Sequence, residues 1–327
     1  MKSKIKLIKT ITRKIINNIF SSSVVVITAL QVVFMLVSSC ERNKPKRPLS
    51  TETIDSGAVE VYCDEAYIPA LDTVFDFYKN RYKKVTLDIK PASARNVLAH
   101  LLAGKTRVAI VGRDNLPDED SLMQLYNVAP YYRMDISNDA LVFFANPSLK
   151  TDTLNEKIIF EVLTENKKII NFLPGLQIEP ELVIAEQNSS EYGNLTNIVT
   201  KKKPIKKNML LLPNSDSVIS YVKSNPNAIG ICYLSQVQGK FFKLLRIGYT
   251  SKDGSYIRAT KPVHQSYVIM GEYPYTTMLR LYLLEDRKNL PFWFGAFIEK
   301  EAICVQYYKR ARLMPVYAKY KLEDERR

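Results

Sequence analysis

Cysteine and histidine are scarce in this sequence, which holds 4 cysteines and 2 histidines among its 327 residues. His100 and His264 stand outside any metal-ligand or triad motif, so zinc sites and serine–histidine chemistry are poorly supported. The cysteines other than Cys40 are far apart and odd in number, which excludes a complete disulfide framework; they are Cys63, Cys232 and Cys304. We therefore expect neither a metal site nor a cofactor.

Acidic residues are absent from the first 39 positions, which carry six basic residues and then an uncharged, mostly apolar run from Ile15 to Ser39. This order is typical of an export signal. Small residues directly precede Cys40, as in the lipobox read by lipoprotein signal peptidase, so Cys40 is predicted to carry acyl chains that anchor the protein to a membrane. An uncleaved transmembrane helix is the alternative, because the run is long enough to span a bilayer.

The segment that follows Cys40, residues 41–57, is polar, contains Pro45 and Pro48 and has no apolar period, so it is predicted to be a flexible tether. The remaining chain is long enough for two lobes with cores of their own. The expected location is the cell envelope, with the protein facing the periplasm and the choice of inner or outer membrane left open.

The formal net charge of +14 overstates the charge of the mature protein, because six of the 47 basic residues lie in the export signal. Without them, 41 basic residues face 33 acidic ones, a net charge of about +8. This charge favours anionic ligands or an anionic membrane surface. The densest basic run, from Lys201 to Lys207, has no interleaved aromatic residues, which favours a solvated loop over a nucleic-acid site.

The first part of the exported chain alternates strand and helix patterns. A β-prone run at Val59–Tyr62 precedes apolar residues at helical spacing, and the same alternation then repeats as far as the continuous apolar run Val108–Val111. This βαβαβ order predicts parallel strands joined by right-handed crossovers.

Three loops should meet at the carboxyl edge of that parallel sheet, which is where open α/β sheets bind ligands. They carry Asp64 with Glu65, Ser93, and Arg113 with Asp114. Two of the loops lead into helices whose first amides are free to donate to an anion. Helix capping is an equally good interpretation of Asp64 and Ser93, and both roles can coexist.

A second α/β pattern runs from residue 141 to residue 264. It begins after Leu141–Ala145 and includes Thr153 and Glu156 at capping-box spacing. Strands are then predicted at Tyr267–Met270 and Met278–Leu284, and a closing helix at Pro291–Tyr308. We assign residues 265–327 to the first lobe together with residues 58–140, because a chain that crosses twice makes a hinge.

The order of these elements, and the short motifs at and between them, resemble the phosphate-binding, or PstS-like, family of periplasmic binding proteins of ABC transporters. The resemblance covers nearly all of residues 58–320 and is carried by six pieces together. They are Asp64–Glu65, Gly112–Pro117 with Glu119, Asn188–Ser190, Val222–Gly230, Tyr273–Pro274 and Arg312–Val316. It implies an α/β fold of two lobes, each a mixed, mostly parallel sheet flanked by helices, with a two-strand hinge.

The resemblance also implies a small anion, with phosphate as the family expectation, held between the lobes by side chains of both. The matching positions are Asp64, Glu65, Ser93, Arg113, Asp114, Asn188, Ser189 and Ser190. Glu186 stands where the family has an arginine, and Glu191 interrupts the family's Ser-Gly-Thr turn. A carboxylate beside a dianion is repulsive, by about 4 kcal/mol per pair of unit charges at 4 Å when the effective dielectric is near 20.

The leading hypothesis is a non-enzymatic lipoprotein that binds a small anion for uptake or sensing, with an ABC permease as its partner. The alternative is a family member that has lost phosphate binding and acts as a structural or regulatory partner in an envelope complex. An enzyme is disfavoured, because the carboxylate pairs Asp64–Glu65 and Glu186–Glu191 lack an accompanying nucleophile, metal set or cofactor loop.

Overall fold

The computed structural model describes residues 52–318, apart from positions 130, 174, 238, 240, 252, 261 and 262. The predicted export signal, the lipidation site Cys40 and most of the predicted tether lie outside the described residues. The described chain belongs to one compact unit. Within it, no helix combines the length and apolar character that crossing a membrane requires.

The regular elements alternate along most of the chain. The strands are β1 (Ser56–Asp64), β2 (Lys84–Ala92), β3 (Val108–Val111), β4 (Tyr132–Ala145), β5 (Thr153–Asn155), β6 (Glu181–Ala185), β7 (Leu210–Leu212), β8 (Ala228–Tyr233), β9 (Lys243–Leu244), β10 (Arg246–Thr250), β11 (Tyr256–Ile257), β12 (Thr276–Leu283) and β13 (Met314–Pro315). The helices are α1 (Ile68–Arg81), α2 (Ala94–Leu102), α3 (Pro117–Leu125), α4 (Glu156–Glu165), α5 (Ser190–Asn194), α6 (Ser215–Ser224), α7 (Leu234–Val237), α8 (Gln265–Ile269), α9 (Leu290–Lys300) and α10 (Ala302–Arg310). Shorter turns are 3-10 at Glu65–Tyr67 and Ile169–Asn171 and π-helical at Leu195–Val199.

The long strand β4 joins the two halves of the main sheet, whose order is β2-β1-β3-β12-β4-β8-β6-β7. Residues 132–140 of β4 pair antiparallel with β12, whereas residues 141–145 pair antiparallel with β8. We call the β12 side of this strand the first lobe and the β8 side the second lobe. The forward crossing between them is therefore one continuous strand.

The parallel arrangement predicted for the first lobe is confirmed. β1 pairs in parallel with both β2 and β3, with Val61 opposite Ile89 on one side and opposite Val108 on the other. All four residues of β3 are buried, as expected for a continuous apolar run in a strand covered on both faces. The start of β1 at Ser56 places the last residues of the predicted tether in the sheet.

The chain returns to the first lobe through β12, which pairs antiparallel with β3. Three predictions for the surrounding segments are wrong. Tyr267 belongs to helix α8 rather than to a strand, since a short apolar run fits either period. Two helices replace the single closing helix, because Glu301 is extended between them. Asn155, rather than Thr153, caps α4 by accepting from the Lys157 amide at 2.8 Å.

Candidate ligand-binding cleft

The end of β1 is tied to the loop after β3 by the carboxylate of Asp64. This side chain is 1% exposed and accepts from the backbone N–H groups of Ala66 at 3.2 Å and Gly112 at 3.1 Å. Burial raises the pKa of Asp64, and the nearby Ser190 hydroxyl opposes that rise. Asp64 therefore serves as a cap, as one of the two sequence interpretations expected, and it lies beside the second-lobe residue Ser190.

The second lobe contacts the first at Gly112. A Cβ atom there would lie 2.2 Å from a ring carbon of Tyr67 and 3.1 Å from the Tyr233 hydroxyl. The Gly112 carbonyl accepts from the Asn194 amide at 2.8 Å and from the Tyr233 hydroxyl at 3.2 Å. The ring of Tyr67, a first-lobe residue, requires glycine at this position, whereas the two hydrogen bonds to the Gly112 carbonyl join the loop after β3 to the second lobe.

Two further hydrogen bonds cross between the lobes. The Arg95 amide, at the start of α2, donates to the carbonyl of Asn188 at 3.0 Å. The side chain of Asn197 donates to the carbonyl of Asn115 at 3.3 Å. Together with the contact at Gly112, they hold the two lobes against each other.

Arg113 is enclosed at this interface and is 1% exposed. Its guanidinium makes two hydrogen bonds to the Glu119 carboxylate, at 2.7 and 2.6 Å, and one to the Asp114 carbonyl at 2.9 Å. Gly193 packs against it so closely that a Cβ there would lie 2.5 Å from the Arg113 Cδ. Glu119 thus neutralises the charge that Arg113 was expected to offer an anion. The Nε–H group of Arg113 has no partner in the described structure.

Asp114 stands apart from Asp64 and Ser93. Its side chain is 63% exposed and forms an ion pair with Arg280 of β12, whose Nε also donates to Asp135 at 2.9 Å. Sequence reasoning missed Arg280 because it belongs to no motif. The available signal was a lone arginine inside the apolar strand β12, a costly position unless its charge is used.

The second-lobe turn is filled by one of its own carboxylates. Glu191 is 1% exposed and accepts from the hydroxyls of Ser215 and, at 3.5 Å, Ser190. Burial, reinforced by the charge of Asp64, raises the pKa of Glu191 to about 7. A carboxyl group of this protein therefore occupies the Ser215 hydroxyl and lies close to the predicted anion donor Ser190.

The other predicted residues surround this acidic region. The Ser189 hydroxyl accepts from the Tyr192 amide at 3.1 Å and so caps α5, and the buried Ser93 hydroxyl accepts from the Asn96 amide group at 3.0 Å. Glu65 is half-buried, and its pKa is raised by burial and then by the charges of Asp64 and Glu186. Glu186, the acidic residue in place of the family's arginine, thus lies near the carboxylate of Glu65.

A cavity of about 200 Å³ remains between the lobes on the hinge side of the cleft. Its lining includes Arg113, Asp114, Asn138, Asn194, Thr277 and Arg280. The Thr277 side chain is buried, and its hydroxyl makes no hydrogen bond of normal geometry within the described chain. This cavity is lined by only two of the eight residues predicted to bind the ligand.

Cys63, Cys232 and Cys304 are buried and are not joined in disulfides, and the described residues contain no group of three or more metal-ligating side chains. In the lysine-rich loop, Lys201 pairs with Glu156 at 3.0 Å.

Comparison with known proteins identifies the family and the fold. Residues 50–299 match the model of the PBP superfamily domain. A structure described as a phosphate ABC-transporter substrate-binding protein with bound phosphate, from Clostridium perfringens, is 17% identical, with a TM-score of 0.65 over 80% of this chain and 100% of that one. An ABC-type phosphate transport receptor from Vibrio cholerae is 12% identical, with a TM-score of 0.62 over 79% of this chain and 100% of that one.

A third structure, PstS from Borrelia burgdorferi, is 14% identical, with a TM-score of 0.52 over 80% of this chain and 99% of that one. No curated protein matches the sequence significantly. The predicted resemblance to phosphate-binding proteins and the two-lobed α/β fold are thereby confirmed. Since the family model covers more than half of its length, the chain belongs to the PBP superfamily.

Proposed function

We propose that this chain is a non-enzymatic solute-binding protein of the cell envelope, anchored through Cys40, that closes its lobes on a small solute with an anionic group. Its partner is then an ABC permease, to which the closed form delivers the solute. The observation that carries the proposal is the interlobe contact at Gly112, where a first-lobe loop and the second-lobe residues Asn194 and Tyr233 fit each other. Hinged closure around a ligand is the motion that such a contact serves.

Two further observations support a solute with an anionic group. The related structures include receptors described as binding or transporting phosphate. Arg280 lies at a cavity between the lobes, where it is shielded from bulk solvent with 13% of its side chain exposed. A shielded guanidinium interacts with an anion more strongly than an exposed one, because solvent screens it less.

Isothermal titration of the full chain, purified in mild detergent, tests the proposal. The panel comprises inorganic phosphate, sulfate, small carboxylates and small amino acids, each added to protein freed of bound solute by dialysis from denaturant and refolding. We expect binding heat from at least one of them and a smaller radius of gyration by X-ray scattering in its presence. Absence of binding across the panel contradicts the proposed function.

A second candidate function is favoured by Glu191. Because its carboxyl group holds the hydroxyls of Ser190 and Ser215, the loop site is closed without an oxyanion. A family member of this kind acts as a structural or regulatory partner in an envelope complex. Affinity purification from detergent-solubilised envelopes distinguishes the two: stoichiometric recovery of another envelope protein, together with no response to solutes, favours the partner role.

A further inference from the structure

The sequence predicted the anion site at the loop edge, but most hydrogen-bonding groups there already have partners within the protein. The Asp64 carboxylate accepts from two backbone amides, the Ser215 hydroxyl donates to Glu191, and the Ser190 hydroxyl lies between the carboxyl groups of Asp64 and Glu191. An incoming oxyanion would have to displace Glu191 and would then face Asp64 across the interface. A solute must therefore find its partners elsewhere in the cleft.

The hinge-side cavity does have unused hydrogen-bonding groups. The Nε–H group of Arg113 is buried and has no partner among the described residues, whereas the buried hydroxyl of Thr277 lies at the hydroxyl of Tyr67; both side chains line the cavity. A buried polar group without a partner costs about 1–3 kcal/mol, which a bound solute or an ordered water recovers. Asn194, which also lines this cavity, joins it to the interlobe contact at Gly112.

Arg280 gives this cavity a group suited to a carboxylate. Its Nη1 pairs with Asp114 and its Nε with Asp135, while its Nη2 donates to no other described residue. Nη2, together with the second hydrogen of Nη1, can therefore donate to a further carboxylate. Asp114, with its largely exposed side chain, adds an acceptor for a cationic or hydroxyl group on the same solute.

The charges around the cavity distinguish between ligand classes. Glu119 neutralises Arg113, and Asp114 with Asp135 more than balances Arg280. A phosphate dianion would bring charge that no unpaired cation of this lining compensates. A zwitterion brings no net charge, and it places its carboxylate against Arg280 and its ammonium group against Asp114.

We infer that the hinge-side cavity is the solute site and that it binds a small α-amino acid through Arg280 and Asp114. The volume of about 200 Å³ suits a solute with a short side chain. The inference rests on the proposed function and specifies its ligand class. It also moves the site away from the loop residues Ser93 and Ser190.

Titration with three probes, L-serine, glycolate and inorganic phosphate, tests the inference on the full chain in mild detergent. We expect L-serine to bind most tightly. Arg280→Gln should weaken its binding at least tenfold, and Arg280→Lys should restore part of the loss. Arg81→Gln is the matched control, since Arg81 also pairs with a glutamate, Glu301, but lies far along the chain at the end of α1.

Asp114→Asn gives a readout that loss of folding does not imitate. It should weaken L-serine binding and leave glycolate binding unchanged or stronger, because only the amino group needs the carboxylate. Circular dichroism on each variant separates loss of binding from loss of structure.

The outcomes separate this inference from the proposed function. Phosphate binding that Ser190→Ala abolishes and Arg280→Gln leaves intact overturns the inference while preserving a solute-binding role. Equal effects of Asp114→Asn on L-serine and glycolate also overturn it. Failure of the whole wider panel to bind contradicts the proposed function itself.

Discussion

Replacing Glu191 with glutamine should make the stability of the protein less dependent on pH. In the folded protein the pKa of this carboxyl group rises from its ordinary 4.5 to about 7, first because it is buried and then because Asp64 is near. The folded state therefore holds the proton more tightly than the unfolded state. The free energy of unfolding falls as the pH rises from about 4.5 to about 7, and the difference between these two pKa values corresponds to about 3 kcal/mol.

The substituted amide does not ionise, so this loss disappears in the Glu191→Gln variant. We expect the variant and the parent to have similar free energies of unfolding near pH 4.5, and the variant to be more stable by up to about 3 kcal/mol at pH 8. Urea denaturation at both pH values, followed by circular dichroism, measures this difference. Glu165→Gln, at an exposed glutamate of α4, is the control and should change stability by less than about 1 kcal/mol at either pH. A Glu191→Gln effect of the same size at pH 4.5 and pH 8 would refute the reasoning.

Three other substitutions give direct tests. Cys40→Ser should abolish incorporation of a fatty-acid probe and leave a precursor that retains its export signal, as read by metabolic labelling and mass spectrometry. Glu119→Gln should lower the free energy of unfolding by about 3–5 kcal/mol, because it leaves the buried Arg113 charge without its carboxylate; chemical denaturation measures it, and a loss below about 1 kcal/mol contradicts the buried ion pair. Gly193→Ala should cost about 1–3 kcal/mol, because its Cβ would lie 2.5 Å from the Arg113 Cδ; unchanged thermal unfolding would mean that the two lobes do not pack there.

The first lobe could be predicted from the sequence because its signals are local. Apolar runs such as Val108–Val111, separated by amphipathic helices, determine a parallel order that the pairing of β1 with β2 and β3 confirms. Short apolar runs are different, since Tyr267 lies in a run that fits a strand or a helical turn equally well. There the His264 side chain, which accepts from the Ser266 amide at 3.2 Å, caps a helix.

The site was less predictable because its geometry depends on the return of the chain. The family resemblance placed Asp64 and Ser190 in the same site, and the Ser190 hydroxyl lowers the pKa of Asp64 against the effect of burial. Arg280 and Thr277 could not be placed, since they reach the cleft only when β12 inserts between β3 and β4. In the sequence, Glu119 stands out only as part of a motif, yet its carboxylate determines whether the charge of Arg113 is available to an anion.

Glu191 links the acidic turn to the choice of ligand. A receptor that closes on phosphate needs the anion to bring its lobes together, because the donors of both lobes would otherwise be left unpaired in the closed form. In this chain the Glu191 carboxyl group supplies an acceptor for Ser190 and Ser215, and its proton limits repulsion from Asp64. At the loop edge these hydroxyls are therefore occupied by a carboxyl group of the protein rather than by a phosphate. On the hinge side, the unpaired Nε–H group of Arg113 and the guanidinium of Arg280 belong to residues that line the inferred solute site, so a bound solute would stabilise the closed form from there.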